Sequence, residues 1–577
     1  MFSSIVDRKL LAPVALAGAL LAAIACGGET VAETVAEIVK ETVIVKETVI
    51  VQETVVSKET VVTAPTQAPT TTPPDGPQGG VIVANGPLAG YPQAADNGYG
   101  HTGDKAFLSH VYDYLIEVDP DLTLKPGLAT KWDVEPDMLT WNFTLRQGVK
   151  FHNGEELTAA DVVLQAQRNK DTPEAGGMWR TRVEEDGVVQ TGDYTFQIIT
   201  KEPLPSLPYE LSRLSFGGFF ISPKSIIAEH MDAPFQEAIG TGPYRLTERR
   251  VGELHRLEAL DPKADWPHWR HVPDFKQIDI LPVAENSTRI ALLRTDSVDL
   301  IDIPLSLKNQ VEAVENIQFV SAKGVATVGM LMCCIGAPDN VWNDIKVRQA
   351  MNLSVDWDTI IDKIFAGEAQ RVPTYPFATL GEGFDSSLQP YPYDPDRARQ
   401  LLTEAGYPDG FDFTMRLRPY SGVPDILAMG EAIATMWEGI GVHVTLKPVE
   451  GGVDSKFNRT HDPEQHNTIV TARATFFPIG IHGSITCHDP DQNRTHTMSG
   501  RHTCAAEDDL IDEARATVDV SARLALATQV NKFLYEEYAT VGAIQVNLIY
   551  AMGPKIKSWQ PLNGHTYLNR LEYLVGH

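Results

Sequence analysis

From Thr140 to Phe151 the sequence "TWNFTLRQGVKF" sets apolar and polar residues in turn, the two-residue period of a strand with one buried face. Upstream, "GGVIVAN" (79–85) is a short apolar run that predicts another strand. Residues 110–168 as a whole read as a helix, a Pro/Gly turn, two strands and a second helix. "HNGEE" turns the chain before that second helix, which starts at Ala159, with Thr158 and Asp161 spaced as N-cap and N3 partner. Further on, "IALLRTDSVDLIDI" (290–303) reads as a helix then a strand, and "GMLMCCIG" (329–336) as an apolar, strand-like run.

The longest apolar stretch lies at the start. Leu10 to Ala25 follow the basic pair Arg8 and Lys9, and 16 residues are too few for a bilayer span, which needs about 20. The stretch fits the apolar region of a signal peptide, residues 1–25. Ala23-Ile24-Ala25 before Cys26, with Gly27 and Gly28 after it, resembles a bacterial lipobox, in which the signal is cut ahead of a cysteine that is then acylated. Cys26 is accordingly expected to be the lipid anchor; the alternative is ordinary secretory cleavage near Ala25 with a free thiol. Next come E-T-V or E-I-V units starting at 29, 33, 37 and 41, then at 47, 53 and 59. Thr and Val favour extended chain, whereas the four-residue register favours one side of a helix, so the two signals conflict. "TAPTQAPTTTPPDGPQGG" (63–80) is a Pro/Thr linker. Residues 26–78 thus read as a lipid-anchored tether that reaches roughly 170 Å when extended.

About 500 residues remain, enough for three domains and a large core. The composition is globular, 43% hydrophobic and 21% charged, and the formal charge of −28 argues against nucleic-acid binding. No second long apolar segment occurs, so the membrane is met only through the N-terminal lipid.

Candidate chemistry is sparse. "GYGHTG" (98–103) satisfies G-x-G-x-x-G, but a dozen loop residues separate it from the preceding strand, and Asp96 and Asp104 would repel a pyrophosphate. His152, Glu155 and Glu156 are read as turn residues, not as an acid–base set. No G-x-S-x-G elbow and no H-E-x-x-H occurs, so no enzyme is expected. "CHDPDQNRTHTMSGRHTC" (487–504) holds two Cys with His488, His496 and His502, and "HDPEQHN" (461–467) adds His461 and His466. Outside the cytoplasm a Cys487–Cys504 disulfide is the simpler account, closing a loop of 17 positions for about 3 kcal/mol. A borderline metal, or neither, stays open. Cys333 and Cys334 are read as buried thiols.

Residues 110–168 closely resemble the peptide/nickel class of extracytoplasmic solute-binding proteins, family 5, the capture components of ABC importers. The likeness continues through "GTGPYRL" (240–246), "IALLRTDSVDLIDI" (290–303), "VRQAMNLSVDWDTIIDKIFAGEA" (347–369), "YDPDRARQLLTEAGYPDGFDF" (393–413), "WEGIGVHVTLKPV" (437–449) and "LIDEARA" (510–516), in family order. It implies an α/β, two-lobed periplasmic-binding-protein-like fold of type II, with an extra small domain and a ligand cleft between the lobes. By that analogy lobe I takes 79–123, 239–325 and 541–577, the extra domain 124–238, and lobe II 326–540. In peptide-binding relatives an Asp early in a W-x-x-D-x-x-D-P stretch holds the ligand's amino group. In the corresponding region this chain has Thr475, Phe476, Phe477 and Pro478, and its first carboxylate downstream is Asp489. Phe476 and Phe477 then suit an apolar or aromatic ligand face, or pack inside the lobe; Asn97 and Tyr99 stand where the opposite lobe's early loop reaches the cleft in relatives, or are plain loop residues.

The expectation is therefore an extracytoplasmic, membrane-anchored monomer that captures a peptide-like or other small solute for an ABC permease. It needs no cofactor and no resident metal. A ligand-sensing lipoprotein feeding a membrane signalling partner, and a metal- or haem-chelate carrier, are the alternatives.

Overall fold

A computed structural model of the chain describes residues 78–86, 105–171, 177–215, 219–231, 237–332, 335, 340–375, 377, 379, 381, 383–417, 420, 423, 425–448, 468–473, 506–564 and 570–577. Among these, one mixed sheet runs in the order His443–Pro448, Asp412–Leu417, Thr468–Arg473, Gln318–Leu331, Thr540–Met552, Leu300–Ile303, Gly80–Asn85, Gln277–Pro282, Leu254–Ala259, Tyr244–Arg250. Ala369–Val372 pairs with Thr540–Met552 beside this path.

Two long antiparallel strands, Gln318–Leu331 and Thr540–Met552, tie the halves of the sheet together. Their partners change in mid-course. On the edge away from Gln318–Leu331, Thr540–Met552 takes Ala369–Val372 along residues 543–546 and Leu300–Ile303 along 549–552, so Asn547 and Leu548 fall between the two neighbours. On the other edge the register with Gln318–Leu331 shifts between Ala322 and Ala326. Gly324, inside that bulge, adopts φ +58, a left-handed conformation that glycine accepts without a Cβ penalty. Thr540–Met552 is buried at every position but Asn547, which is half-buried, even where it carries Thr540 and Gln545.

Helices pack against the sheet. Ile426–Glu438 buries Ile426, Met429, Gly430, Ile433, Ala434 and Trp437, a helical stripe, and Trp437 donates Nε1–H to Met351 O at 3.1 Å. The stretch 393–413 forms helix Pro395–Glu404, N-capped by the Asp394 carboxylate on Arg397 N at 2.9 Å, and then strand Asp412–Leu417. Gly410 joins them at φ +76, where a Cβ would overlap the Gly441 carbonyl.

A separate four-stranded antiparallel sheet orders Ala129–Val134, Thr140–Leu145, Thr195–Thr200, Val183–Gly192, with its own core of Phe143, Phe196, Ile198, Phe151 and Val162. The alternation read at Thr140 holds: Trp141, Phe143 and Leu145 are buried and their neighbours half-buried. Helix Ala159–Asp171 starts where expected. Asp161 Oδ2 accepts both Thr158 N–H at 2.8 Å and Thr158 Oγ–H at 2.6 Å, while its Oδ1 takes Lys224 N–H at 2.7 Å. The helix expected from His110 onward needs correcting. The helix there is Lys105–Val111, and beyond it the chain forms a short ribbon of Ile116–Val118 with Leu124–Pro126. Every residue from Tyr112 to Ile116 is buried, the charged Asp113 included, so burial shows no period here, and Ile116–Val118 pairs with Leu124–Pro126 instead.

Candidate functional site: the mouth of the cleft

Strands Gly80–Asn85, Gln277–Pro282 and Leu300–Ile303 are mutually parallel through Gly80–Asn85, so their carboxyl ends emerge together. In open α/β sheets that edge is where ligands bind. Arg289, on helix Asn286–Arg294, gathers the three ends. Its Nε–H goes to Asp302 O at 3.0 Å, and Nη1 donates to Val283 O at 2.7 Å and to Ala284 O at 3.0 Å. A side chain at Gly86 would strike this guanidinium, which is why the chain has glycine there. Asp302 completes the clamp: Oδ1 accepts Gly86 N–H at 2.9 Å and Asn85 Nδ2–H at 3.2 Å, and Oδ2 lies 3.4 Å from Arg289 Nη2. Burial pushes the Asp302 carboxyl up, and the Arg289 charge and the two donors offset only part of that.

Just beyond Ile303 lies a small, partly open pocket, lined by Ile303, Leu305, Phe365, Val423, Asp425 and Leu548 among others. Most of its wall is apolar, and it has room for little more than a water molecule. Asp425 is the carboxylate in it; burial raises its pKa, while its hydrogen bond from Ser306 Oγ, 2.7 Å, works against that rise. Nearby, Lys308 Nζ donates to Glu368 Oε1 at 2.8 Å, and this bond raises the lysine pKa more than burial lowers it.

A second polar cluster is largely enclosed and serves the frame. Glu572, near the C-terminus, accepts from Arg213 Nη2 at 3.1 Å and Arg270 Nη1 at 3.0 Å, and its Oε2 lies 2.8 Å from His110 Nδ1. Asp113 receives Arg270 Nη2–H at 2.8 Å, Trp269 Nε1–H at 2.8 Å and Thr241 Oγ–H at 3.2 Å, with His268 Nε2 at 3.0 Å. Arg213 is also paired with Glu117 at 2.8 Å. Segments far apart in sequence are thereby pinned to one another. His152 is a turn residue, as read: Nε2–H donates to Gly242 O at 2.9 Å and Nδ1 accepts Gly240 N–H at 3.4 Å. Burial pushes its pKa down to about 4, so the ring is neutral.

The residues named from the sequence, Cys26, Asn97, Tyr99, Phe476, Phe477, Cys487 and Cys504, lie outside the described residues. So do Cys333, Cys334, the "GYGHTG" motif and the histidines of 461–467 and 487–504. Among the described residues there is no group of three or more His, Cys, Asp or Glu able to hold a metal. None of the described helices is long and apolar enough to cross a membrane. Arg289, Asp302, Asp425 and Glu368 were not singled out by the sequence. Arg289 and Asp302 fall in or beside the 290–303 motif and lie 13 residues apart, but nothing in the spacing marks them, because the strand end that Asp302 holds, at Asn85 and Gly86, lies more than 200 residues away.

A mixed sheet whose halves are joined by two long strands, with three parallel strand ends emerging together, is the architecture of the periplasmic-binding-protein type. The chain belongs to the bacterial extracellular solute-binding proteins, family 5, whose middle region matches residues 123–478. Heme-binding protein A of Haemophilus influenzae is 29% identical over 373 residues, 59% of this chain and 65% of that protein. Glutathione-binding protein GsiB of Salmonella typhimurium is 30% identical over 318 residues, 54% of this chain and 59% of that protein. These matches take in about three-fifths of the relatives' length. The dipeptide-binding protein of Escherichia coli K12 is 26% identical over 505 residues, 80% of this chain and 88% of its own. Among solved structures, the substrate-binding protein CtaP of Listeria monocytogenes superposes with a TM-score of 0.72 at 19% identity, covering 87% of this chain and 99% of CtaP. NikA of Brucella suis, in complex with Fe(III)-EDTA, gives 0.71 at 22% identity, covering 87% and 100%. The two structures share the fold. The family and the relatives named are binding proteins.

Proposed function

We propose that the protein captures a peptide-like or other small solute outside the cytoplasm and delivers it to the permease of an ABC importer. The observation that carries this reading is the joint emergence of three parallel strand ends in a chain of this family. In this reading Cys26 carries the lipid, residues 26–78 form the tether, and the membrane is met nowhere else. Lobe I comprises 79–123, 239–325 and 541–577, the extra domain 124–238 and lobe II 326–540. The register shift between Ala322 and Ala326 supports a hinge near the first crossing. Asn97 and Tyr99 from one side and Phe476 and Phe477 from the other would face the solute, with a Cys487–Cys504 disulfide stiffening the loop beyond. The protein works as a monomer and catalyses nothing.

A haem- or metal-chelate carrier is the second reading, favoured by the likeness to a heme-binding protein and by the histidines between Cys487 and Cys504. Native mass spectrometry of protein purified without added solute separates the two. A ladder of peptide masses on the protein is the expected outcome. A single chromophoric or chelator-labile mass would replace it with the second reading. Protein that stays bare, and that also stays bare after incubation with a peptide library or with haem, would sink both.

A further inference from the structure

The segment after Leu300–Ile303 makes two polar bridges beside the small pocket. Ser306, in the 3-10 turn Leu305–Leu307, gives Oγ–H to Asp425, the residue before helix Ile426–Glu438. Lys308, which opens helix Lys308–Glu312, donates to Glu368, the residue before strand Ala369–Val372. The first residue of each pair belongs to the half of the sheet built on Gly80–Asn85, and the second to the half that holds Asp412–Leu417.

Glu368 does more than hold the lysine. Its other carboxylate oxygen, Oε2, accepts Asn547 Nδ2–H at 3.3 Å, and its carbonyl accepts Asn547 N–H at 3.0 Å. Asn547 Oδ1 in turn accepts Gly324 N–H at 2.9 Å. Asn547 is where Thr540–Met552 exchanges one neighbour for the other, and Gly324 lies in the bulge of the strand opposite. An unbroken chain of hydrogen bonds, Lys308–Glu368–Asn547–Gly324, thus runs from the contact between the halves to the point where both connecting strands lose regular pairing. Rotation about that point separates Lys308 from Glu368 and Ser306 from Asp425, because each pair has one member on either side of it.

We propose that these two bridges are a latch, built into the chain and independent of solute, that sets the resting angle between the lobes. Ser306–Asp425 and Lys308–Glu368 hold the cleft near its closed position, and Asn547 ties that contact to the hinge through Gly324. A solute then acts on a pre-set angle, so weakening the latch costs capture. The inference rests on the two-lobed solute-binding reading.

Single-molecule fluorescence transfer on the full chain tests it, with dyes on unnatural amino acids at the exposed positions Glu315 and Thr403, one on each side of the hinge. No solute is added. Wild type is expected to populate mainly one compact distance. Lys308→Met with Asp425→Ala should lose most of that population to longer distances while far-UV circular dichroism stays unchanged. Lys308→Glu alone should open the protein, and Lys308→Glu with Glu368→Lys should return it toward the wild-type distribution, which a merely structural role would not do. The latch is overturned if the Met/Ala variant keeps the wild-type distribution, or if the charge swap is as open as the single reversal. Native mass spectrometry of the same samples reports bound solute separately, so failure of the latch and failure of the solute-binding reading are told apart.

Discussion

Glu572→Ala is expected to cost about 3–5 kcal/mol of stability, because it removes one partner from a buried ionic network and leaves the others charged. Glu572 is fully enclosed and accepts from two guanidinium groups, Arg213 and Arg270, with His110 against its second oxygen. Without it Arg270 keeps Asp113 and Arg213 keeps Glu117, but the surplus positive charge sits where little side-chain surface reaches water. Glu572→Gln retains the shape and an acceptor oxygen and should fall between wild type and alanine. Denaturant midpoints at pH 7 measure both.

The same network gives stability a pH dependence with a definite sign. Burial alone would raise the Glu572 and Asp113 carboxyls, but Arg213 and His110 around the first, and His268 and Arg270 around the second, outweigh it and hold both below the usual range. A depressed carboxyl contributes stability that is complete above its unfolded pKa, about 4, and is lost as pH falls below that. Two buried neutral histidines begin the loss earlier. Burial holds His152 and His255 down to about 4, so the unfolded chain takes up protons from about 6.5 downward while the folded one does not. The melting temperature should therefore slope down gently from pH 6.5 to 4, then steeply below 4. A flat profile between pH 7 and 4 would contradict the histidine environments.

The second large effect concerns the mouth of the cleft. Arg289→Met should also cost about 3–5 kcal/mol, since it strands the buried carboxylate of Asp302 and frees the carbonyls of Val283, Ala284 and Asp302 from their donor. Adding Asp302→Asn should recover a substantial part. The amide keeps an acceptor for Gly86 N–H and removes the unpaired charge. A double variant no more stable than Arg289→Met would mean that the ion pair is not what the arginine supplies. Because the clamp fixes the exits of three strands toward the cleft, native mass spectrometry of the single variant should also show less retained solute.

Much of the frame is legible in the sequence because it depends on near neighbours along the chain. The period-two pattern at Thr140–Leu145 buries Trp141, Phe143 and Leu145, and the Thr158/Asp161 spacing caps the helix from Ala159. Family order along the chain carries the rest of the architecture. The segment at Tyr112–Val118 reads wrongly as helix because a stretch buried on every side has no periodicity to betray its form.

What the sequence by itself determined is the class of protein and the local elements: propensity, caps and period are fixed within a turn or two of chain. The meeting of Arg289 with the ends of three strands, of Glu572 with His110 and Arg213, and of Lys308 with Glu368 was decided only by tertiary structure. Those partners lie 462 and 359 residues apart for Glu572 and 60 for the lysine. A buried charge is tolerated only where folding brings its complement, and for Glu572 no short window of sequence holds both halves of the pair.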